Sequence, residues 1–294
     1  MKTKALLITI VASCCMLPAP FVAHAAATIN AANHSAYAAN FGWMDWRGDT
    51  ANGAVIGEYV CSGYIYAANV GWINLGGGTP TNGIYYQNHS ATDFGVNQDG
   101  LGNLRGYAYG ANIGWINFEN TGAAKVDLKT GEFSGYAYSA NCGWISLSNA
   151  LAAVQTDTIA PGADTDGDGI ADAWEYLHFG NLTTATATSN FDGDPATDLQ
   201  EYLADTDPKD ASSYLRITAN NSNLGGTTNA LTWTSALTRC YRLQETLNLA
   251  PTAVWYDSAL GLLASDGALT SRSLVETNAS MRFYRVQAVK PLAP

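Results

Sequence analysis

The chain has 294 residues, with 25 Asp and Glu against 14 Lys and Arg, a formal net charge of −11 and 47% hydrophobic residues. That length exceeds one ordinary core and supports two or three small domains, and the apolar content excludes global disorder. There is no basic footprint of the kind nucleic-acid binding needs, so nucleic acid is excluded as a partner.

Lys2 and Lys4 precede a mostly apolar stretch over residues 5–17, and Ala23-His24-Ala25 offers a small-x-small cleavage site. Residues 1–25 are therefore predicted to be a signal peptide, and the mature protein to be secreted or held at the cell surface. Val11-Ala12-Ser13-Cys14 resembles a lipoprotein box, an alternative that leaves Cys14 lipidated. No later apolar run reaches the roughly 20 residues of a membrane-spanning helix, so no transmembrane helix is predicted.

Residues 26–150 contain four copies of an aromatic motif. Residues 35–46 read SAYAANFGWMDW, 63–75 GYIYAANVGWINL, 106–118 GYAYGANIGWINF and 135–147 GYAYSANCGWISL. Alternation of Tyr with small residues has the period of a strand; Ala-Asn-x-Gly is a turn; Trp-Ile-Asn-Phe alternates again. The prediction is an antiparallel all-β repeat domain, with sandwich, open barrel and solenoid left open. Trp43, Trp72, Trp115 and Trp144 have two readings. They pack in the core between sheets, or they form a platform for stacking sugar rings, with Asn74 and Asn117 beside them. Cys142 occupies the slot of Phe41, Val70 and Ile113, and Cys61 that of Leu104 and Phe133, so both read as buried thiols.

A linker over 151–163 leads into an acidic segment, 164–212. Between residues 157 and 210 lie 13 carboxylates and one base, Lys209. Asp164, Asp166, Asp168, Asp172 and Glu175 fall at loop positions 1, 3, 5, 9 and 12, with Gly169 at 6 and the carbonyl of Ile170 at 7. Alternate carboxylates on a curled loop suit calcium, a hard ion that takes six to eight oxygens, and a terminal glutamate grips with both of its own. A second copy places Asn190, Asp192, Asp194, Asp198 and Glu201 at the same positions, with the Ala196 carbonyl at 7. Its position 1 is neutral and its position 6 is Pro195, which predicts a distorted, weaker site. Asp205, Asp207 and Asp210 follow as additional candidate ligands. Short exit helices are predicted after each loop, with Trp174 and Leu177, then Leu199, Tyr202 and Leu203, on their apolar faces.

These loops resemble the calcium repeats of thrombospondin type 3 and the EF-hand-like loop-helix motifs of dockerins. The likeness covers about 15% of the chain. Pro161 and Gly162 stand where an EF-hand has its entering helix, and Ile170 at position 7 fits the type 3 repeat better. Dockerin docking residues are small hydroxyls at loop positions 10 and 11; here they are Ala173-Trp174 and Leu199-Gln200. The resemblance implies Ca2+ as cofactor and a rigid extracellular spacer.

Strand signals at 215–218, 230–234, 241–244 and 283–289 predict a small C-terminal β-sandwich over 213–294. The fold class is thus mainly β, with a loop-helix calcium module between two β-domains. For catalysis the material is thin. Only His34, His89 and His178 lie beyond the leader; His34 and His89 share an Asn-His-Ser-Ala context that reads as repeat structure, and His178 reads as a surface residue. There is no Gly-x-Ser-x-Gly elbow and no His-Glu-x-x-His. A carboxylate pair such as Asp45 with Asp49 has the chemistry for glycoside hydrolysis, but nothing in the sequence places two acids across a cleft. The function expected is therefore a non-catalytic, calcium-binding structural or adhesive protein. The alternatives are a carbohydrate-binding accessory protein, whose partner is an extracellular glycan, and a secreted hydrolase; a surface protein is the other class of partner.

Overall fold

A computed structural model describes residues 27–49, 51–222, 228–275 and 282–293. The predicted leader, with Cys14, lies outside the described residues. The fold is mainly β, and no helix among the described residues is long and apolar enough to cross a membrane.

The four repeats build one closed barrel. Its strands are β1 Ile29–Ala38, β2 Gly42–Asp45, β3 Cys61–Ala67, β4 Gly71–Gly77, β5 Leu104–Gly110, β6 Gly114–Asn117, β7 Tyr136–Ser139 and β8 Gly143–Ser146. Each pairs antiparallel with the next, and β8 closes onto β1 through Tyr37↔Ser146 and Ala38↔Ile145. Every motif is one hairpin in one register: Tyr37↔Trp43, Tyr66↔Trp72, Tyr109↔Trp115 and Tyr138↔Trp144. An eight-stranded barrel has room inside for side chains only when small residues face large ones. Ala36 lies opposite Met44, Ala108 opposite Ile116 and Ala137 opposite Ile145, all buried. Phe41, Val70, Ile113 and Cys142 fill the barrel at the hairpin tips, and Trp46, Leu75, Phe118 and Leu147 fill it further along.

The invariant turn asparagine has a structural task. Asn40 Nδ2 donates to Cys142 O (2.9 Å), Asn141 to Ile113 O (3.0 Å), Asn112 to Val70 O (3.0 Å) and Asn69 to Phe41 O (2.8 Å). These four bonds form a ring that ties each hairpin tip to its neighbour. The first glycine of copies two to four is equally constrained. A Cβ at Gly63, Gly106 or Gly135 would sit 2.2, 2.4 or 2.3 Å from a backbone carbonyl oxygen, and φ is positive at all three.

Two expectations change here. Part of the segment read as a linker belongs to the barrel domain: β9, Val154–Thr156, pairs with the first half of β1, and Glu58 N donates to Ala160 O (2.9 Å). The shared Asn-His-Ser-Ala context is not a structural repeat. His34 lies on β1 with Nδ1 2.7 Å from Asp45 Oδ1, whereas His89 sits in the loop between β4 and β5, after Asn88 at φ 57°. Cys61, Cys142 and Cys240 are buried free thiols.

The C-terminal strands are β10 Ile217–Ser222, β11 Thr228–Thr234, β12 Cys240–Thr246, β13 Tyr256–Ala264, β14 Leu269–Val275 and β15 Phe283–Val289. They form two antiparallel sheets, ordered β10-β11-β14 and β13-β12-β15. Leu231, Trp233 and Leu274 from one sheet and Tyr241, Leu243 and Leu263 from the other share a core, which makes a sandwich.

Candidate metal centre

Residues 164–175 curl into a loop that ends in helix α1, Asp172–His178. Gly167 (φ 76°) and Gly169 (φ 93°) supply the two left-handed bends. Both N–H groups point at the first carboxylate: Gly167 N donates to Asp164 Oδ1 (2.8 Å) and Gly169 N to Asp164 Oδ2 (3.0 Å). Ile170 N donates to Asp168 Oδ1 (2.8 Å). The result brings ligand oxygens of Asp164, Asp166 and Asp168 within 4.8 Å of one another. Ile170 turns its side chain into a core with Ala171 and Trp174. Glu175, one turn into α1, is fully buried, and neither carboxylate oxygen has a hydrogen-bond partner; Asp168 Oδ2 is likewise without one. Burial first, then Asp166 and Asp168, pushes the Glu175 carboxyl up to about 7.

The second loop repeats this frame and ends in α2, Asp198–Ala204. Gly193 N donates to Asn190 Oδ1 (2.7 Å), as Gly167 does to Asp164, and Ala196 N donates to Asp194 Oδ1 (2.6 Å), as Ile170 does to Asp168. Asp192, Asp194 and Glu201 gather within 4.8 Å. Asp192 Oδ2, Asp194 Oδ2 and Glu201 Oε2 are buried and unpartnered, and burial pushes Glu201 up to about 7. Thr197 and Gln200 form a capping box that starts the helix.

Pro195 does not distort this loop as expected. Its missing N–H is the one that would donate to position 1, as Gly169 N does to Asp164. Position 1 is Asn190, which needs one acceptor bond fewer and instead donates from Nδ2 to Asp194 O (2.6 Å). The two departures from the first loop answer one another.

Other candidate ligands are engaged elsewhere. Asp172 accepts from Thr165 N (2.7 Å) and Thr165 Oγ1 (2.6 Å); Asp198 accepts from Phe191 N (3.0 Å) and Ser189 Oγ (2.5 Å). The position 9 carboxylates therefore close the loops onto their helices and stand outside the clusters. Asp205 caps α2 in a left-handed conformation (φ 56°), Asp207 accepts from Lys209 N (3.1 Å), and Asp210 accepts from Ser212 N (3.0 Å). These three complete neither cluster. Leu177 and Leu203 are exposed; Trp174 and Tyr202 carry the helix packing, with ring centroids 5.7 Å apart. His178 is half-buried and lies against Trp174 at 4.4 Å, so it is a packing residue.

Sequence reasoning missed what anchors the module. Arg239, on the turn before β12, is almost fully buried; Nε donates to Leu203 O (2.9 Å) and Nη2 to Tyr202 O (2.9 Å), capping the C-terminus of α2. The same guanidinium pairs with Glu58 of the barrel at 3.1 Å, and Lys290 of the sandwich reaches Glu58 at 2.6 Å while lying 3.7 Å over the Tyr202 ring. All three domains meet at Glu58. Partners this far apart in the chain leave no spacing signature.

The aromatic repeat faces outward. Trp43, Trp72, Trp115 and Trp144 are 51%, 46%, 46% and 45% exposed, which overturns the core reading. Each stands beside the tyrosine across its hairpin, at 5.3, 4.9, 4.9 and 5.0 Å between centroids. Asp45 and Asp49 form no acid pair: Asp45 takes His34 and Arg47 N, and Asp49 takes Ala51 N and Asn52.

No family model matches this chain, and comparison with curated proteins and with solved structures found no match.

Proposed function

We propose that the chain is an exported, non-catalytic, calcium-binding modular protein, in which a two-site calcium module holds a β-barrel and a β-sandwich in fixed relation outside the cytosol. The observation that carries this reading is the pair of buried glutamates: neither oxygen of Glu175, which feels the charges of Asp166 and Asp168, has a protein donor, and Glu201, which accepts from Thr206 through Oε1 (3.1 Å), leaves Oε2 unpartnered in a cluster with Asp192 and Asp194. A buried carboxylate without a partner is costly, and a second acid beside it raises the cost. A bound divalent cation would supply the missing charge and ligation. The all-oxygen donor set favours a hard ion, and a loop mixing carboxylates, an amide and carbonyls suits the larger, more adaptable coordination of calcium over magnesium. Asp164, Asp166, Asp168 and Glu175 would hold one ion, with the Ile170 carbonyl; Asn190, Asp192, Asp194 and Glu201 would hold the other, with the Ala196 carbonyl. Thermal unfolding in EDTA and in millimolar Ca2+ tests the proposal. A rise in melting temperature with Ca2+ that Mg2+ does not reproduce supports it; identical melts in both buffers refute it.

A second reading is favoured by the exposed tryptophans. Four Trp–Tyr pairs around a narrow barrel are an unusual outlay of apolar area on a surface, and flat rings beside hydroxyls and amides suit a glycan. In this reading the barrel binds carbohydrate and the calcium module keeps it presented.

A further inference from the structure

The four aromatic units are not equivalent. Trp72 and Trp115 are separated by 43 residues, where the other neighbouring tryptophans are 29 apart. The additional chain forms a loop between β4 and β5 that rises beside Trp115. Phe94 from this loop stands at 5.1 Å and 83° to the indole, and Tyr109 and Tyr107 stand at 4.9 and 6.2 Å on the barrel. None of the three rings lies parallel to the indole, which stays 46% exposed. Between loop and barrel runs an open groove of about 380 Å³, lined by Trp115, Phe94 and Tyr107 and by Asn88, His89 and Ser90.

The loop is built to hold its shape. Asp93 is buried at its base and accepts from Thr81 N (3.2 Å), Thr81 Oγ1 (2.9 Å) and Gln87 N (3.2 Å). Asn88 N donates to Asp93 O (3.0 Å), and Gly95 N donates to Asn88 Oδ1 (3.0 Å). Tyr86 donates from its hydroxyl to Cys61 O on the barrel (3.1 Å). Asn88 itself sits at φ 57°, a left-handed conformation that asparagine tolerates, and its amide is engaged within the loop, accepting from Gly95 N and donating from Nδ2 to Tyr86 O (3.3 Å).

The chemistry of the lining selects an occupant. No Lys, Arg, Asp or Glu lines the groove, and His89 is its one titratable side chain besides Tyr107. An anion finds no fixed positive charge there, and a cation no carboxylate. A purely apolar ligand would cover the exposed His89 imidazole and Ser90 hydroxyl with carbon. What fits is an uncharged molecule with one flat apolar face and hydroxyls around its edge. We propose that this groove is a subsite for a neutral pyranose, stacked on Trp115 and hydrogen-bonded by the exposed His89 and Ser90. The inference rests on the glycan reading of the barrel and assigns it to one of the four units.

Affinity electrophoresis of the full chain tests both, in gels containing β-glucan, mannan or xylan, with polygalacturonate as the charged comparison. Retardation by at least one neutral polysaccharide is expected, weakened about tenfold or more by Trp115→Ala. His89→Ala is expected to weaken it less, Trp115→Tyr to retain part of it, and Trp72→Ala to leave it unchanged. Trp115 packs no core, and an unchanged melting temperature shows that each variant is folded. Loss on Trp72→Ala with none on Trp115→Ala overturns the groove and leaves the glycan reading standing. Retardation by polygalacturonate alone overturns the argument from neutrality. No retardation in any gel overturns groove and glycan reading together.

Discussion

Arg239→Met removes the side chain on which barrel, acidic loop-helix module and sandwich converge. Two hydrogen bonds to the last carbonyls of α2 go, both 2.9 Å, together with the 3.1 Å pair to Glu58. Hydrogen bonds to a charged group contribute about 1.5–3 kcal/mol each, and breaking a buried pair costs about 3–5 kcal/mol when the partner is left alone. Here Glu58 keeps Lys290 at 2.6 Å, so its charge is not stranded, and methionine fills most of the volume. The loss expected is therefore about 3 kcal/mol. Arg239→Lys should recover only part of it, since an ammonium does not reproduce the planar fork. Urea denaturation reads the loss directly. Because α2 also carries Glu201, freeing its C-terminus should weaken the calcium binding proposed for the second loop and leave that proposed for the first unchanged. A midpoint within error of the parent, with calcium binding unchanged, would refute the claim that Arg239 holds the domains together.

The second loop gives a coupled pair. Asn190→Asp alone strands a carboxylate without the position 6 donor and loses the bond to Asp194 O, so the metal-free protein should be destabilised by about 1–2 kcal/mol; Asn190→Asp with Pro195→Gly should recover part of it, a non-additivity that a double-mutant cycle measures. pH acts through Glu175 and Glu201, each raised from 4.5 to about 7. The metal-free folded chain then holds protons that the unfolded chain releases, so it loses stability as pH rises from about 4.5 through 7. In the proposed sites calcium would compete with those protons. Melting temperatures in EDTA should fall between pH 5 and pH 8, and the increment from Ca2+ should grow over the same range. In the barrel, Asn112→Ala opens the ring of turn asparagines and should cost about 1 kcal/mol by chemical denaturation, with the Asn141→Ala cost no longer independent.

Much of this molecule was legible as repeats. Identical spacing from Tyr to Trp in every copy anticipated hairpins of one register, and the loop spacing anticipated which aspartates converge. Alternation alone did not say which face of the strands lies inside. The residues on the opposite strand face carried that information: Ala36, Ala38, Ala108 and Ala137 are small enough to share the narrow interior of an eight-stranded barrel with Met44, Ile116 and Ile145, which puts the Tyr and Trp of each hairpin outside. Closure was hidden because it depends on Tyr37 meeting Ser146 at opposite ends of the repeat array. In the two acidic loops, spacing makes every acid a candidate ligand. Position 9 lies at the first residue of each helix, where a carboxylate is drawn to the N–H groups of the loop, and Asp172 and Asp198 are held there. Pro195 looked like damage because the loop was compared position by position; Asn190 removes the need for the lost donor.

The central claim is that two loops each hold a calcium ion over a buried glutamate. Isothermal titration of Ca2+ into the chelator-stripped full chain tests it most directly, alongside Glu175→Gln and Glu201→Gln. Two ions per chain, falling to one in each variant, is the predicted result. No heat of binding in the parent, or two ions still bound in either variant, would contradict it.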